Sequence, residues 1–564
     1  MKVIIVGGVA GGATAAARIR RLDERAEIIV FERSGYISYA NCGLPYYIGD
    51  VITDPGELTL QTPESFLRRF RVDMRVRHEV TGIDTVRKVV KVKKLETGEE
   101  FEESYDRLLL SPGAKPTQPD IPGTDIEKLF TLRTVEDTFR IKEYVERNRP
   151  QSAVISGGGY IGIEIAENLR DLGLDVTIVQ RPMQLMNTVD SDMAAFIHAK
   201  MRSRGVNLML GRSVQGFENE NGSVKVLIKD EAPLYADMAI LAIGVTPDTY
   251  LAKDAGLKLG MKGSIIVNER METSAPDVYA VGDAVEVKHY ITGEKALISL
   301  AGPANRQGRI AADNICGGDS RYPGSQGSSV IKVFDMTVAN TGINEKTAKS
   351  LGLQYEKLML FPMSHASYYP GGKMMNMKVL YEKGSLRLLG AQIVGFDGVD
   401  KRIDVLATAM NAGYTVLQLK DLDLAYAPPY SSAKDPVNMA GFMADNIESG
   451  KLKQAYWEDV EELPRDGSIT FLDTRMPMEV QMGGAVPGFI NIPVDSLRDR
   501  LGELDPSKPV YVSCQSGLRS YIACRILAQN GFDCYNISGG YRLYSVLKTD
   551  RQAAEQSFAC GVEK

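Results

Sequence analysis

Two glycine-rich turns, each between a short apolar strand and a helix, constrain the fold of this chain more than any other feature. The run KVIIV at 2–6 leads into GGVAGG, and SAVIS at 152–156 leads into GGGYIG. Such a unit needs glycine for a tight bend, for close approach of a phosphate and for packing of the helix on the strand. A second apolar strand follows each helix, as AEIIVFER and as DVTIVQ. The sequence therefore predicts two dinucleotide-binding domains.

The two turns differ in the residues expected to contact the nucleotide. The first has Gly7 and Gly12 but Val9 between them, whereas the second fits the full pattern with Gly157, Gly159 and Gly162. Glu32 ends the second strand, where a carboxylate can bind a ribose diol. The equivalent position in the second unit is Gln180, followed by Arg181. NADH is the preferred cofactor. NADPH stays open, because the uncharged Gln180 would not repel a 2′-phosphate and Arg181 could accept one.

Length and composition exclude several classes of protein. A chain of 564 residues is too long for one hydrophobic core, so three or four domains are expected. A net charge of −6 predicts no binding to nucleic acid or to an anionic membrane surface. No stretch has the length of a membrane span. The six cysteines are scattered without a C-x-x-C pair, which favours a cytoplasmic protein over a disulfide framework or a metal site.

A third motif, TSAPDVYAVGD at 273–283, follows the two units. LLLSPGAKP precedes the second unit and LAIGVTPD ends it, so these two stretches resemble loops that join the two nucleotide-binding domains. With these motifs the chain resembles the pyridine nucleotide-disulfide oxidoreductases over residues 1 to about 445. The resemblance implies that FAD and a nicotinamide cofactor are bound, and that the nicotinamide domain is inserted within the FAD domain. The cofactor-binding residues it implies are Gly7, Gly12, Glu32, Arg33, Gly157, Gly159, Gly162, Glu164, Gln180, Gly282, Asp283 and Ala301.

A single cysteine lies in the segment that faces the flavin in this family. Cys42 stands in SYANCG, where glutathione and lipoamide reductases carry a pair of cysteines, so an internal disulfide at the flavin is excluded. The peroxidase and NADH oxidase members place a histidine in the first glycine loop, where this chain has Ala10. The segments YISYANCGLPYYIG and YAPPYSSAKDP are most similar to the coenzyme A-disulfide reductases.

This resemblance implies a coenzyme A site and a homodimer. The residues that would bind coenzyme A are Thr14, Arg18, Arg21, Ser38, Asn41, Asn305 and Lys434. Arg18 and Arg21 are one helical turn apart and share a face. Tyr368 and Tyr426 would reach across the dimer interface towards Cys42, where a phenol can donate a proton to a departing thiolate or persulfide.

The C-terminal segment carries another candidate reactive cysteine. CQSGLRS at 514–520 follows the apolar strand PVYVS and precedes a helix. The N–H groups of such a loop, the helix N-terminus and Arg519 would form an anion cradle that can hold a persulfide on Cys514. With LDTRMPMEV, VPGFINIP and ISGGY, this stretch resembles a single rhodanese domain. Related phosphatases need one more residue between the cysteine and the arginine, because phosphate is larger than sulfur.

These motifs predict an α/β chain with two Rossmann-like dinucleotide-binding domains, an α+β dimerisation domain and a C-terminal α/β rhodanese domain. Helices are expected at 400–418 and 433–449. The predicted boundaries are 1–114 and 245–324 for the FAD-binding domain, 115–244 for the NAD(P)H-binding domain, 325–447 for the dimerisation domain, 448–457 for a linker and 458–564 for the rhodanese domain.

The predicted activity is the reduction of coenzyme A persulfide, polysulfide or coenzyme A disulfide by NADH or NADPH, through FAD and Cys42. Cys514 would collect sulfane sulfur and pass it to coenzyme A or a related thiol. The fusion favours a persulfide substrate, because a plain disulfide reductase needs no sulfane carrier. Two alternatives stay open: a redox or sulfur sensor whose rhodanese domain docks a partner, and an NADH oxidase, against which Ala10 argues. No metal site is expected.

Overall fold

The computed structural model describes residues 1–559, with side chains through residue 555. Residues 560–564 of the predicted rhodanese domain lie outside the described residues. The chain forms two compact units, Met1–Leu185 with Arg204–Gly327, and Met186–Ser203 with Ser328–Lys564. Within the described part of the chain, no helix has the length and hydrophobicity needed to span a membrane.

The first unit is built on two five-stranded parallel sheets. One has the strand order Val278–Ala280, Arg107–Leu110, Lys2–Val6, Glu27–Glu32, Asp73–Val76. The other has the order Asn207–Leu210, Asp175–Gln180, Ser152–Ser156, Met238–Leu241, Leu129–Phe130. All strands of the second sheet lie in the chain between two adjacent strands of the first. The second sheet is thus an insertion into the first, as the motif order predicts.

Helices and smaller sheets complete the first unit. The central strands are apolar throughout, with Val3, Ile4 and Ile5 fully buried, as expected for parallel sheets packed under helices. The α-helices are Ala10–Leu22, Leu44–Ile48, Pro63–Phe70, Val135–Asn148, Tyr160–Asp171, Tyr250–Asp254 and Ala301–Ile315. The 3-10 helices are Asn41–Gly43, Pro55–Leu58, Met261–Gly263 and Gly282–Ala284. The remaining strands are His78–Asp84, Val89–Lys94, Glu100–Ser104, Ala114–Pro116, Val214–Glu220, Ser223–Ile228, Leu234–Ala236, Val245–Pro247, Ile265–Ile266, Val285–Lys288 and Lys295–Ala296.

Both glycine turns have the same backbone geometry. Gly7 and Gly157 have φ of +99° and +116°, and a Cβ on Gly7 would lie 2.1 Å from the backbone oxygen of Ser111. Glycine is therefore required at the start of each turn. Gly159 instead has extended backbone, and a Cβ there would meet no atom within 4 Å. Val9, at φ −116° and ψ 163°, takes the equivalent position in the first turn without strain, which explains the departure from the glycine pattern.

The second unit begins with a five-stranded antiparallel sheet. Its strand order is Ser329–Val333, Met336–Gly342, Leu388–Gly395, Asn376–Glu382, Tyr355–Leu360. The helices packed around it are Ser191–Ser203, Glu345–Ser350, Val399–Asn411 and Pro436–Glu448, with a 3-10 helix at Val416–Asp421.

The predicted helix at 400–418 is wrong beyond Asn411. The helix ends at Asn411, and Gly413 turns the chain with a φ of +74° before the 3-10 helix. Val416 and Leu419 are fully buried, so apolar residues continue at helical spacing beyond Gly413, and the sequence pattern does not indicate the turn. The following helix begins at Pro436 rather than at 433, because Asp435 caps it by accepting a hydrogen bond from the backbone N–H of Val437.

A parallel sheet forms the C-terminal part of the second unit. Its strand order is Gln454–Ala455, Cys534–Ile537, Val510–Ser513, Thr470–Asp473, Ile490–Asn491. The helices are Trp457–Glu461, Pro477–Gly483, Leu518–Gln529 and Gly540–Ala559, with a 3-10 helix at Val494–Glu503. The segment predicted as a linker therefore contributes the first edge strand. Trp457 is buried and its Nε1 donates to the carbonyl of Gly540 at 2.8 Å.

The C-terminal sheet domain is attached to the antiparallel-sheet domain at several points within this unit. The Nε of Arg542 donates to Oδ1 of Asn376 at 3.1 Å, and its guanidinium lies over two phenylalanine rings. Further along the same C-terminal helix, Asp550 lies 2.9 Å from Nδ1 of His198, which is buried. The two domains therefore pack as one body, without a free tether between them.

Candidate active site

One cavity of about 800 Å³ in the first unit gathers most of the predicted cofactor and substrate residues. Pockets for cofactors and small ligands have volumes of roughly 300–1,000 Å³. The predicted residues that line this cavity are Gly7, Thr14, Arg21, Glu32, Arg33, Ser38, Asn41, Cys42, Gly282, Asp283, Ala301 and Asn305. Gly12 lies beneath the turn, where a Cβ would lie 1.9 Å from the backbone oxygen of Gly7.

Cys42 lies on the short 3-10 helix Asn41–Gly43, where its side chain is exposed at the cavity wall. Desolvation raises the pKa of this thiol, and Glu164 raises it further, whereas Arg133 lowers it. The thiol therefore needs a nearby positive or electron-accepting group to become an effective nucleophile.

Glu164 connects the cysteine segment to the second glycine turn. It lies on the helix that begins after that turn, and it is hydrogen-bonded to Tyr46, four residues after Cys42. Burial, followed by the charge of Glu167, raises the pKa of Glu164 to about 7. A partly buried carboxyl that titrates near neutrality is typical of functional sites. Its predicted role in cofactor binding stays a prediction.

In each nucleotide-binding unit, the last residue of the strand after the first helix accepts a hydrogen bond from the backbone of the glycine turn. Glu32 accepts hydrogen bonds from the backbone N–H groups of Gly8 and Ser34, at 2.8 and 2.9 Å. The Oε1 of Gln180 accepts one from the N–H of Gly158 at 2.9 Å. Gln180 thus replaces the carboxylate as an organiser of the turn while carrying no charge. This geometry is compatible with either nicotinamide cofactor.

The cavity also contains charged residues that the sequence reasoning misses, including the partners of predicted Asp283 and Arg33. Arg133 donates to Asp283 at 2.7 Å, and Arg33 donates to Asp248 at 2.8 Å. Arg69 lines the same cavity. Arg133 and Asp283 are separated by 150 residues, so no local motif could have paired them.

The predicted coenzyme A residues of the first unit take different positions. The hydroxyl of Thr14 donates to Oδ1 of Asn305 at 2.8 Å, which fixes both side chains at the cavity. Arg21 lines the cavity as well. Arg18 instead pairs with Asp313 at 2.7 Å and is not among the lining residues. The shared helical face therefore brings only one of the two arginines to the cavity wall.

The remaining predicted residues of the first site belong to the second unit. The hydroxyls of Tyr368 and Tyr426 are 2.7 Å apart, although 58 residues separate them in the chain. Both tyrosines are exposed, as is Lys434. The hydrogen bond to Tyr368 raises the pKa of Tyr426. Their approach to a Cys42 thiol stays a prediction.

The second predicted cysteine lies at the carboxyl edge of the C-terminal parallel sheet. Cys514 follows the strand Val510–Ser513, and its loop ends where the helix Leu518–Gln529 begins. Its Sγ is buried and accepts hydrogen bonds from the N–H of Gly517 at 3.0 Å and the hydroxyl of Ser520 at 3.2 Å. The loop therefore directs donors at the sulfur, as an anion cradle requires.

Arg519 has a partner that the sequence reasoning misses. Its two terminal nitrogens donate to the two carboxylate oxygens of Glu479, at 2.6 and 2.7 Å. Glu479 also accepts a hydrogen bond from the backbone N–H of Met476 at 2.9 Å. The hydrogen bonds from Arg519 lower the pKa of Glu479 to about 2, so this carboxylate stays ionised at neutral pH. Arg519 is thus held in an ion pair beside the cradle.

Three family descriptions match the chain in sequence. Residues 1–308 match the pyridine nucleotide-disulphide oxidoreductase family, and residues 328–436 match its dimerisation domain. Residues 457–546 match the rhodanese-like domain.

Known proteins resemble the chain over most of its length. A coenzyme A disulfide reductase of Staphylococcus aureus (strain JH9) is 37% identical over 444 residues, which cover 78% of this chain and 99% of that protein. The crystal structure of reduced Bacillus anthracis CoADR-RHD is 48% identical, with a TM-score of 0.95 and coverage of 98% of both chains. A NAD-dependent persulfide reductase from A. fulgidus is 38% identical, with a TM-score of 0.91, covering 96% of this chain and 100% of that one.

These matches agree with the arrangement of sheets and turns described above. The fold predicted from the glycine motifs is confirmed, including the two nucleotide-binding sheets and the C-terminal rhodanese domain. The chain belongs to the pyridine nucleotide-disulphide oxidoreductases, and it carries a rhodanese-like domain at the C-terminal side of their dimerisation domain.

Proposed function

We propose that this protein is an FAD-dependent oxidoreductase that uses NADH or NADPH to reduce coenzyme A persulfide, coenzyme A polysulfide or coenzyme A disulfide. The observation that carries the proposal is the position of Cys42, exposed in the same cavity as Thr14, Arg21, Ser38 and Asn305. A relative named coenzyme A disulfide reductase and another named persulfide reductase support it. The persulfide substrate is preferred because Cys514 lies in a loop of the rhodanese-like domain whose Gly517 N–H donates to its sulfur.

The residues present fit FAD. The helix Ala10–Leu22 has no side-chain cap at its N-terminus, so the first turn can face a pyrophosphate, and Glu32 lies at the strand end where a ribose is bound. Gly282 and Asp283 line the same cavity. When bound, FAD would accept two electrons from the nicotinamide and pass them on to a disulfide.

The chemistry of the substrate follows from the properties of a single thiol. The Cys42 thiolate attacks the inner sulfur of coenzyme A persulfide, which is the one bonded to carbon. This forms a Cys42–S–S–coenzyme A disulfide and releases HS⁻. Two electrons and one proton then convert that disulfide into the Cys42 thiolate and free coenzyme A. Arg133, which lowers the pKa of the thiol, favours the thiolate in both steps. With coenzyme A disulfide the leaving group is coenzyme A thiolate instead.

The two exposed tyrosines give this chemistry a proton donor. We propose that the chain is a homodimer formed through its dimerisation domain, and that Tyr368 and Tyr426 meet the Cys42 of the partner subunit. Because their hydroxyls share one hydrogen bond, one of them can donate while the other accepts. Lys434 would contribute a positive charge for the phosphates of coenzyme A. The described cysteines are all free, which fits the reducing cytoplasm where we expect the protein to act.

The rhodanese domain would supply the sulfur. We propose that Cys514 takes a sulfane sulfur from a donor as a persulfide and transfers it to coenzyme A, whose persulfide Cys42 then reduces. The hydrogen bonds from Gly517 and Ser520 are in place to stabilise a negative charge on this sulfur.

The test is anaerobic oxidation of NADH with detection of sulfide, for the wild type and for the variants Cys42→Ser and Cys514→Ser. The substrates are coenzyme A persulfide, coenzyme A disulfide and polysulfide. Turnover of persulfide is expected to require Cys42 alone, and turnover of polysulfide with catalytic coenzyme A is expected to require both cysteines. Cys316→Ser is the matched control, because Cys316 is a free thiol of the first unit that does not line the cavity.

Each outcome has a separate meaning. If Cys42→Ser still releases sulfide at the wild-type rate, the proposed mechanism is wrong. If coenzyme A disulfide is the best substrate and Cys514 never affects the rate, the protein is a plain disulfide reductase. Rapid oxygen consumption without any sulfur compound would favour an NADH oxidase, and the absence of turnover with every substrate would favour a sensor.

A further inference from the structure

Arg519 is the one cationic residue of the loop CQSGLRS, and its ion pair with Glu479 neutralises the charge that it could offer to an anionic substrate. Arg519 uses both of its terminal nitrogens on Glu479, and each carboxylate oxygen receives one of these bonds. Two parallel charge-assisted bonds of this kind are among the strongest and most directional side-chain contacts. Binding an anion to Arg519 would therefore require this pair to open.

A second arginine near the loop is neutralised in the same way. Arg475 is fully buried, and its Nε and one terminal nitrogen donate to Asp473, at distances from 2.6 to 3.1 Å. The local charges on the two arginines are thus cancelled by two carboxylates. The hydrogen bonds that the Cys514 sulfur itself receives come from neutral groups, the N–H of Gly517 and the hydroxyl of Ser520.

The residues that flank the Glu479–Arg519 pair in the chain are apolar and exposed. Met478 is 70% exposed and Leu518 is 61% exposed. One turn further along each helix, Met482 and Ile522 are also exposed. Flexible, exposed methionines are typical of surfaces that accept varied organic groups. A donor with an organic body therefore gains contacts here that a small inorganic dianion does not.

We infer that Glu479 is a specificity-determining residue that selects the sulfur donor of Cys514, favouring a persulfide carried on an organic thiol over thiosulfate. The inference rests on the proposed sulfur transfer to Cys514. Thiosulfate presents a sulfonate dianion directly beside the transferred sulfur, where it meets the carboxylate of Glu479 and a masked Arg519. An organic persulfide instead places its inner sulfur and the attached carbon chain beside Glu479.

Both donors can react at this cysteine, so the selection is one of rate. With thiosulfate, the Cys514 thiolate attacks the outer sulfur, the S–S bond breaks, and sulfite leaves with the bonding electron pair. With an organic persulfide R–S–SH, the same attack forms the Cys514 persulfide and releases the thiolate R–S⁻. The leaving group is a dianion in the first case and a monoanion in the second. Repulsion by Glu479 therefore penalises the first transition state more.

The experiment compares two donors in the full-length, FAD-loaded protein. Sulfur transfer to cyanide is measured as thiocyanate, with thiosulfate or glutathione persulfide as the donor, for the wild type and for Glu479→Gln. Glutamine keeps an oxygen that can accept from Met476, so the helix cap is retained. Freeing Arg519 is expected to raise the ratio of kcat/KM for thiosulfate to that for glutathione persulfide by about tenfold, as one charge-assisted bond allows.

Further variants separate selection from a structural effect. In the Glu479→Gln background, Arg519→Gln should return the ratio to the wild-type value, and added salt should reduce the gain for thiosulfate. Glu461→Gln is the control, because Glu461 pairs with Arg551 in the same domain and should leave the ratio unchanged. A ratio that does not rise in Glu479→Gln overturns the inference while sulfur transfer itself stands. If the wild type transfers sulfur from neither thiosulfate nor glutathione persulfide, the proposed sulfur transfer and the inference are both wrong.

Discussion

Lys378 provides a quantitative test of how the second unit is held together. Its side chain is 1% exposed, and its Nζ lies 2.8 Å from Asp192, 3.0 Å from Asp190 and in contact with Glu345. Lys378→Met removes the cation and leaves three carboxylates close together in a mostly buried site. Removing one partner of a buried ion pair costs about 3–5 kcal/mol of unfolding free energy, and we expect a loss of this size.

The loss should depend on pH in a defined direction. Burial alone would raise the pKa of Glu345, but Lys378 and then Lys357 lower it to about 2. In the wild type, the stability that ionised Glu345 contributes is complete above pH 4.5, the ordinary pKa of a glutamate. It is lost only as the pH falls through about 2. Without Lys378 burial dominates, so the carboxyl pKa values rise and the folded state takes up protons. The deficit of Lys378→Met should therefore shrink as the pH falls from about 8 to about 5.

The assay is urea unfolding followed by tryptophan fluorescence. The chain has one tryptophan, Trp457, which is buried in the same unit and reports on that unit alone. Lys383→Met is the matched control, because Lys383 is 55% exposed in its pair with Glu356 and should contribute at most about 1 kcal/mol. A Lys378→Met protein as stable as the control variant, or one whose deficit grows at acidic pH, would refute this reasoning.

Three further predictions concern other parts of the chain. Gly7→Ala places a Cβ against Ser111 and should lower FAD content, read from flavin absorbance, whereas Gly159→Ala, in open space, should not. Because burial raises the pKa of Glu164 from its ordinary 4.5 to about 7, the folded state loses about 2–3 kcal/mol of unfolding free energy as the pH rises from about 4.5 to about 7, and Glu164→Gln should flatten the fall of Tm over that range. Asp550→Ala removes a partner of buried His198 and should cost about 1–3 kcal/mol in the tryptophan assay.

Local motifs predicted much of this molecule, and long-range pairs account for most of what was missed. The glycine turns were predictable because the backbone itself requires glycine at Gly7 and Gly157. Glu479 could not be assigned to Arg519, since the two are 40 residues apart and only the folded sheet brings their helices together. The helix at 400–418 was extended too far because buried apolar residues continue at helical spacing beyond Gly413.

The predicted substrate residues show the same division. A shared helical face predicted that Arg18 and Arg21 would act together, but Asp313 on another helix pairs with Arg18 and separates their roles. Helical periodicity identifies which residues share a face and cannot identify what that face packs against. The pairing of Tyr368 with Tyr426 is likewise a product of tertiary structure, although both residues were chosen from the resemblance.

The attachment of the C-terminal domain shows that modularity in sequence need not mean modularity in stability. In sequence, this domain matches a separate family. In the structure, three side-chain pairs connect it to the antiparallel-sheet domain: Arg542 with Asn376, Asp550 with His198, and Glu458 with Lys357 at 2.8 Å. Two sequence families thus share one compact unit. Removing the C-terminal domain would leave the buried His198 and Asn376 without these partners, so the stability of an isolated half is a poor guide to the intact protein.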